Sequence, residues 1–201
     1  MKADTSCDNL YEGRNQPICV SSDPPRRQRE DTMSRQSEES KLLLAHLNSQ
    51  RKHVLGILEG LDAEDLRRPV LPSGWSCLGM LRHLALDDER FWFRGTIAAD
   101  QDVIDEVATA ADDAWRVGPD TAVGEVFDLY RDEVQRSNAI ITTTALDAPP
   151  AWWPEELFGS WRLDNLREVI LHVLTETAVH AGHLDAAREL IDGRTWLVLT
   201  E

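Results

Sequence analysis

Residues 166–183 read LREVILHVLTETAVHAGH and combine an apolar helical pattern with several titratable side chains. The apolar residues recur at intervals of three and four, which predicts a long amphipathic helix. Glu176 and His180 are four positions apart and therefore share a helix face, and His172 and His183 fall on the same stripe. Burying an unpaired carboxylate beside apolar positions is costly unless a partner compensates its charge. A bound divalent cation would do so, and the stretch therefore predicts a metal site.

Three further stretches show the same helical spacing of apolar residues, at about 37–58, 76–97 and 121–144. The last helix is expected to be capped by Asp164 and to end before Gly193, a residue typical of helix C-termini. Four amphipathic helices without a convincing set of strands predict an all-α fold, a four-helix bundle over residues 37–201. Residues 98–120 are acidic and small, and they are expected to form a long loop with at most a short helical turn.

The first part of the chain, residues 1–36, lacks apolar periodicity and contains a proline-broken run of mixed charge, SDPPRRQRE at 22–30. This composition predicts a disordered N-terminal leader. Met33 then becomes a candidate for the true translation start. Mass spectrometry of the native protein tests this hypothesis, and a native N-terminus at Met1 would rule it out.

The strongly acidic composition of the chain argues against two classes of partner, nucleic acids and anionic membranes. The chain of 201 residues carries a formal charge of −15, which argues against a nucleic-acid surface and against binding to an anionic membrane. No apolar run approaches a membrane span, and no secretory signal is recognisable, so a cytoplasmic location is expected. The three cysteines form no metal-binding pair. For Cys77, near a predicted helix start, a small buried side chain is favoured over a reactive thiol.

A second segment is needed to complete a metal site, because two side chains rarely hold a metal. His83 lies among leucines in the second helix, with Asp87 four residues later in a position to orient the imidazole. His83, Glu176 and His180 together give two imidazoles and one carboxylate, which leaves positions open for water or substrate. This donor set suits catalytic zinc and also non-haem iron. A satisfied core histidine, or a Glu176–His180 salt bridge, remains the alternative.

These residues resemble the motifs of the DinB/YfiT-like superfamily. The similarity rests on His83 in a Leu-Arg-His-Leu context, on Glu176-x-x-x-His180-Ala-Gly-His183, and on a closing Ile-Asp-Gly at 191–193. It covers about residues 38–193 and is strongest to the actinobacterial mini-circle protein group. The chain is also similar to the metal-binding domain of mycothiol-dependent maleylpyruvate isomerase. Where many relatives have a His-x-x-x-His pair, this chain has Glu176 first, as that isomerase branch does.

The resemblance implies a four-helix bundle with one divalent metal held by His83, Glu176 and His180. Zinc is the favoured metal, with nickel, manganese or iron as alternatives. It also implies a thiol-dependent S-transferase or isomerase, with mycothiol as cosubstrate and a small electrophile as the second substrate. His183 is then a neighbour of the site, a reserve ligand for the metal, and a candidate acid or base. Arg82, Arg90 and Arg94 are candidates for a substrate carboxylate, although a surface role is favoured for all three.

Two other readings stay open on the sequence alone. The first is a metal-binding protein without catalysis, such as a stress-related or sensor module. The second is a structural helical homodimer whose polar stripe is a buried hydrogen-bond network. Metal analysis of the purified protein separates the second from the others, and thiol-transfer assays separate the first from an enzyme.

Overall fold

The structure is a computed structural model that describes the backbone of residues 26–109 and 113–197 and the side chains of residues 38–109 and 113–197. In these residues the fold is all-helical, without strands, as predicted. The helices are α1 (Arg26–Leu58), α2 (Ala63–Arg67), α3 (Cys77–His83), a π-helix (Leu84–Ile97) that continues α3, α4 (Gln101–Thr109), α5 (Val123–Thr143), α6 (Glu155–Phe158) and α7 (Leu166–Asp192).

Four long segments form the body of the fold. α1 packs along α7, α5 packs against α3 and the π-helix, and the π-helix also touches α7. The apolar faces of these segments meet in a core that includes Leu47, Leu81, Tyr130 and Val173. Helical sequence periodicity thus produces the bundle, because each apolar stripe is buried against another. None of the described helices combines the length and the apolarity that a bilayer crossing requires.

The second predicted helix is present, but it changes its hydrogen-bond pattern midway. Ser76 is its N-cap and accepts a hydrogen bond from the Gly79 amide, as its sequence position predicts. From Leu84 to Ile97 the backbone forms a π-helix. Such i→i+5 bonding widens each turn and changes which side chains share a face. This segment carries several residues of the candidate site.

Two local predictions require correction, and a third is confirmed. Gln101–Thr109 forms α4 within the stretch expected to be a loop, because its valines and isoleucine give it one apolar face. α7 is capped by Asn165 rather than Asp164, since the Asn165 side chain accepts from the Glu168 amide. Gly193 ends α7 in a left-handed conformation with φ of 75°, as predicted.

The helical backbone of α1 begins at Arg26 and so includes residues 26–36 of the predicted leader. These residues are mostly Arg, Gln, Glu and Met, which have favourable helix propensities and can extend the helix that follows. Residues 1–25 of the predicted leader lie outside the described residues. The division into leader and bundle therefore stays a prediction.

Cys77 is buried at the start of α3, in agreement with its expected packing role. Burial raises the pKa of its thiol from the ordinary 9.0 to about 11. Because the thiolate is the reactive form, we expect alkylation of Cys77 at pH 8 to be about 100-fold slower in the folded protein than in the unfolded protein. Mass spectrometry of iodoacetamide adducts in a Cys7→Ser/Cys19→Ser variant measures this ratio. Equal rates in the folded and unfolded states would contradict the buried placement.

Candidate metal centre

Side chains from two distant segments meet where the α3–π-helix junction faces α7. One potential ligand atom from each of His83, Asp88 and His180 lies within 4.8 Å of the others. The imidazole rings of His83 and His180 have centroids 5.1 Å apart and are nearly perpendicular. The two predicted histidines are thus neighbours in the fold. Two imidazoles and a carboxylate form a donor set that suits zinc or iron.

Asp88 was not among the predicted ligands. It lies five residues after His83, a spacing that in an α-helix rotates the side chain away by about 140°. In the wider turn of a π-helix, the same spacing gives a rotation of only about 50°. The π-helix therefore brings Asp88 to the side of His83. The run Asp-Asp-Glu at 87–89 was visible in the sequence, but no residue in it signals the change of helix type.

The environment of Asp88 fits a cation. The side chain is only 4% exposed, and its Oδ2 has no hydrogen-bond partner among the described residues. Burial raises the pKa of this carboxyl well above its usual range, and the nearby carboxylates of Glu89, Glu176 and Asp87 raise it further. A positive charge beside Asp88 would both satisfy the free oxygen and restore the ionised form. The chemistry of this position thus matches a metal ligand.

The imidazoles of His83 and His180 also have surroundings that favour the neutral, lone-pair form that binds a metal. His83 Nδ1 lies 2.7 Å from Asp87 Oδ2, the partner that the sequence predicted for it. When Nδ1 donates its proton to Asp87, Nε2 is left as the lone-pair nitrogen. Burial lowers the pKa of His180 to about 4, with further lowering by His83 and His183. His180 is therefore neutral at physiological pH, the state that metal ligation requires.

Glu176 and His183 lie next to this group. Glu176 Oε2 is 3.7 Å from His180 Nε2, and the Glu176 side chain is 39% exposed. Glu176 does not belong to the group of three close ligand atoms, and its role as a ligand stays a prediction. His183 is exposed, and its Nδ1 lies 3.5 Å from His180 Nδ1. The acid–base role of His183 likewise stays a prediction.

The remaining candidates from the sequence take other places. His172 packs against Trp92 and Trp161, and burial lowers its pKa, so it belongs to an aromatic cluster rather than to the metal group. Arg94 binds Asp100 and Glu133, which makes it part of an internal ion-pair network. Arg82 and Arg90 line a pocket beside the candidate metal centre.

Trp115 covers the outer face of His83. The two rings are stacked, with centroids 4.0 Å apart and an interplanar angle of 19°. Gly79 permits this placement, because a Cβ at that position would overlap the backbone carbonyl oxygen of Trp115. The backbone at Trp115 can therefore lie directly against α3.

Replacing Gly79 with Ala is expected to displace Trp115 and loosen His83. We expect zinc affinity to fall by about tenfold, the lower end of the effect of losing a group that supports a metal ligand. Isothermal titration of zinc into the variant measures the change. Gly124→Ala in α5 is the matched control, because no atom lies within 4 Å of its added Cβ. Equal zinc affinity in Gly79→Ala and the wild type would show that Trp115 does not position His83.

Comparison with known proteins supports a single assignment. The chain matches the family model described as Mycothiol-S-transferase over residues 42–193. No curated protein and no solved structure gives a significant match. The matched region runs from α1 to the end of α7 and includes every member of the candidate metal centre. The chain therefore belongs to the mycothiol S-transferase family, within the DinB/YfiT-like superfamily that the sequence motifs indicated.

Proposed function

We propose that this protein is a metal-dependent enzyme that transfers the thiol of mycothiol to a small electrophile. The observation that carries the proposal is the meeting of His83, Asp88 and His180 in a chain of the mycothiol S-transferase family. We propose that these three residues hold one divalent ion, most suitably zinc, with Glu176 beside them. An S-transferase is preferred to an isomerase because of the family to which the chain belongs.

When bound, a divalent cation lowers the pKa of a thiol that it coordinates and so favours the nucleophilic thiolate at neutral pH. Residues around the proposed ligands hold them in place and in the neutral form that binds a metal. Asp87 and Trp115 fix the ring of His83 from its edge and its face. The half-buried position of His180 keeps its imidazole neutral. Each of these contacts restricts the motion of a ligand before the metal binds.

His183 is proposed to accept the proton of the incoming thiol at its Nε2 atom. The residue is exposed, so this nitrogen can exchange the proton with water. In the reaction, the sulfur forms a bond to an electrophilic carbon. In a substitution, the displaced electron pair leaves with the departing group, and the thiol proton passes to solvent through His183. In an addition to a double bond, the electron pair moves to the adjacent atom, which takes up a proton from His183 or from water.

The test is a thiol-transfer assay with zinc-loaded protein, mycothiol and a chromogenic aryl halide. We expect a rate above the uncatalysed reaction that chelation abolishes and that Asp88→Ala lowers by at least about 100-fold. Asp128→Ala removes an exposed carboxylate from α5 and serves as the matched control. Zinc binding without any rate above background would favour the non-catalytic metal-binding alternative.

A further inference from the structure

A large pocket lies beside the candidate metal centre. Its volume is about 830 Å³, and it is bordered by the π-helix, α4, α5 and α6. This size is typical of sites for small organic molecules. The walls are largely apolar, with contributions from Phe91, Trp92, Val103, Val107, Leu129 and Phe158. The pocket is thus suited to a ligand that is itself mostly apolar.

The side chain of Asp87 both lines the pocket and contacts His83 of the candidate metal centre. Asp87 lines the pocket, and its Oδ2 lies 2.7 Å from Nδ1 of His83. Asp87 thus lies between a molecule in the pocket and the His83 ring, and the Nε2 atom left for a metal is on the far side of that ring. A second substrate that extends past Asp87 and the edge of the His83 ring would be placed to meet a thiol at the metal.

The aromatic side chains of the pocket favour a ring. Phe91 and Trp92 pack edge to face, with centroids 4.9 Å apart, and Trp92 stacks on Phe158 at 5.5 Å. Leu157, at the pocket rim, is 60% exposed, so an apolar surface faces the opening. Aromatic side chains gain energy from stacked or edge-to-face contacts with another ring beyond the burial of area.

One wall of the pocket is polar. Arg90 lines it and binds Glu106 through Nη2, at a distance of 2.7 Å. Its Nε is buried and has no acceptor among the described residues, whereas the Arg90 side chain as a whole is 19% exposed. The Arg90 guanidinium thus has hydrogen-bonding capacity that the described chain does not use fully. A ligand oxygen near Arg90 would supply an acceptor.

We propose that this pocket binds the electrophile, and that the electrophile is an apolar, ring-bearing molecule with an oxygen acceptor that Arg90 recognises. The identification of the ligand as the electrophile rests on the proposed function. The sugar hydroxyls of mycothiol would find partners only along the wall that carries Arg82, Asp87, Arg90 and Glu106, and burying the others unpaired against the apolar walls would be costly. The pocket is therefore assigned to the acceptor rather than to the thiol.

Two fluorescent probes with the same ring system test the assignment without thiol or turnover. 1-Anilinonaphthalene-8-sulfonate carries an anionic oxygen group, and N-phenyl-1-naphthylamine lacks it. Each is titrated into zinc-loaded wild-type protein and into Val107→Trp and Leu129→Trp, which fill the pocket from two different helices. Arg90→Gln tests the polar wall, and Arg131→Gln, an exposed arginine of α5 outside the pocket, is its matched control.

We expect both probes to bind the wild type and both filling variants to weaken both probes by at least about tenfold, which corresponds to 1.4 kcal/mol. Arg90→Gln should weaken the sulfonate probe by about tenfold and the neutral probe by less than about twofold, since a hydrogen bond to a charged group is the stronger kind. Arg131→Gln should change neither probe.

Unchanged binding in a filling variant that still takes up zinc would overturn the assignment of the pocket. An equal loss of both probes in Arg90→Gln would overturn the role of Arg90 in recognising oxygen. These results are distinct from a failure of the proposed function. Probe binding that behaves as expected, without any thiol transfer, would leave the pocket established and would refute the enzyme.

Discussion

The variant His180→Ala is expected to bind zinc more than about 100-fold more weakly than the wild type, because it loses a direct ligand and not merely a supporting group. His180 is the one member of the candidate centre that comes from α7, so its loss leaves His83 and Asp88 on the α3–π-helix segment alone. Competition titration with a chromogenic chelator measures the two affinities.

The same titration distinguishes Asp88 from Glu176 as the carboxylate ligand. Asp88 is buried with a free oxygen, whereas Glu176 is partly exposed and 3.7 Å from His180. We therefore expect a larger loss of affinity in Asp88→Asn than in Glu176→Gln, and both replacements keep the size of the side chain. Asp128→Asn changes an exposed carboxylate of α5 outside the site and serves as the control. Wild-type affinity in His180→Ala would refute the metal centre.

The second large effect is expected on the free energy of unfolding, at a buried ion pair whose carboxylate, Glu89, follows Asp88 in the π-helix. Arg51 of α1 and Glu89 of the π-helix are 3% and 1% exposed. Two parallel hydrogen bonds of 2.7 and 2.6 Å join the guanidinium to the carboxylate. Arg51 Nη1 also donates to Asn48 and to Asn138, so the pair links α1, the π-helix and α5. Because Glu89 follows Asp88, this network also fixes the backbone of the segment that carries Asp88.

Arg51→Met is expected to lower the free energy of unfolding by about 3–5 kcal/mol, because it leaves the Glu89 charge buried without a partner. Urea denaturation followed by circular dichroism gives this value. The double variant Arg51→Met/Glu89→Leu should recover most of the loss, since no buried charge remains unpaired. Arg131→Met, which breaks the exposed pair with Asp128, should cost less than about 1 kcal/mol. A similar small cost for Arg51→Met would contradict the buried network.

Local sequence signals predicted much of the fold because they act through nearby atoms. Ser76 caps α3 through its side-chain oxygen, and Gly193 ends α7 because glycine adopts the left-handed conformation without strain. The apolar periodicity also predicted the long helices. Asp164 and Asn165 are both good capping residues, so the sequence predicts the cap of α7 one residue too early, and only the backbone geometry selects Asn165.

The sequence predicts the two histidines of the candidate site but not its buried carboxylate, Asp88. His83 and His180 stood out as histidines within apolar helices, and the structure brings them together. Asp88 did not stand out, because its position beside His83 depends on the π-helix, and wide helical turns leave no simple pattern in a sequence. The stacking of Trp115 on His83 also joins residues that are distant in the chain, which no local rule predicts.

The most direct test of the metal centre is X-ray absorption spectroscopy of the zinc-loaded protein. The account predicts one zinc per chain with two imidazole nitrogens at about 2.0–2.1 Å, oxygen ligands completing the shell, and no sulfur. His180→Ala, loaded at high zinc concentration, should show one imidazole fewer. A spectrum with sulfur ligands, or one that shows the same two imidazoles after His180→Ala, would contradict the account.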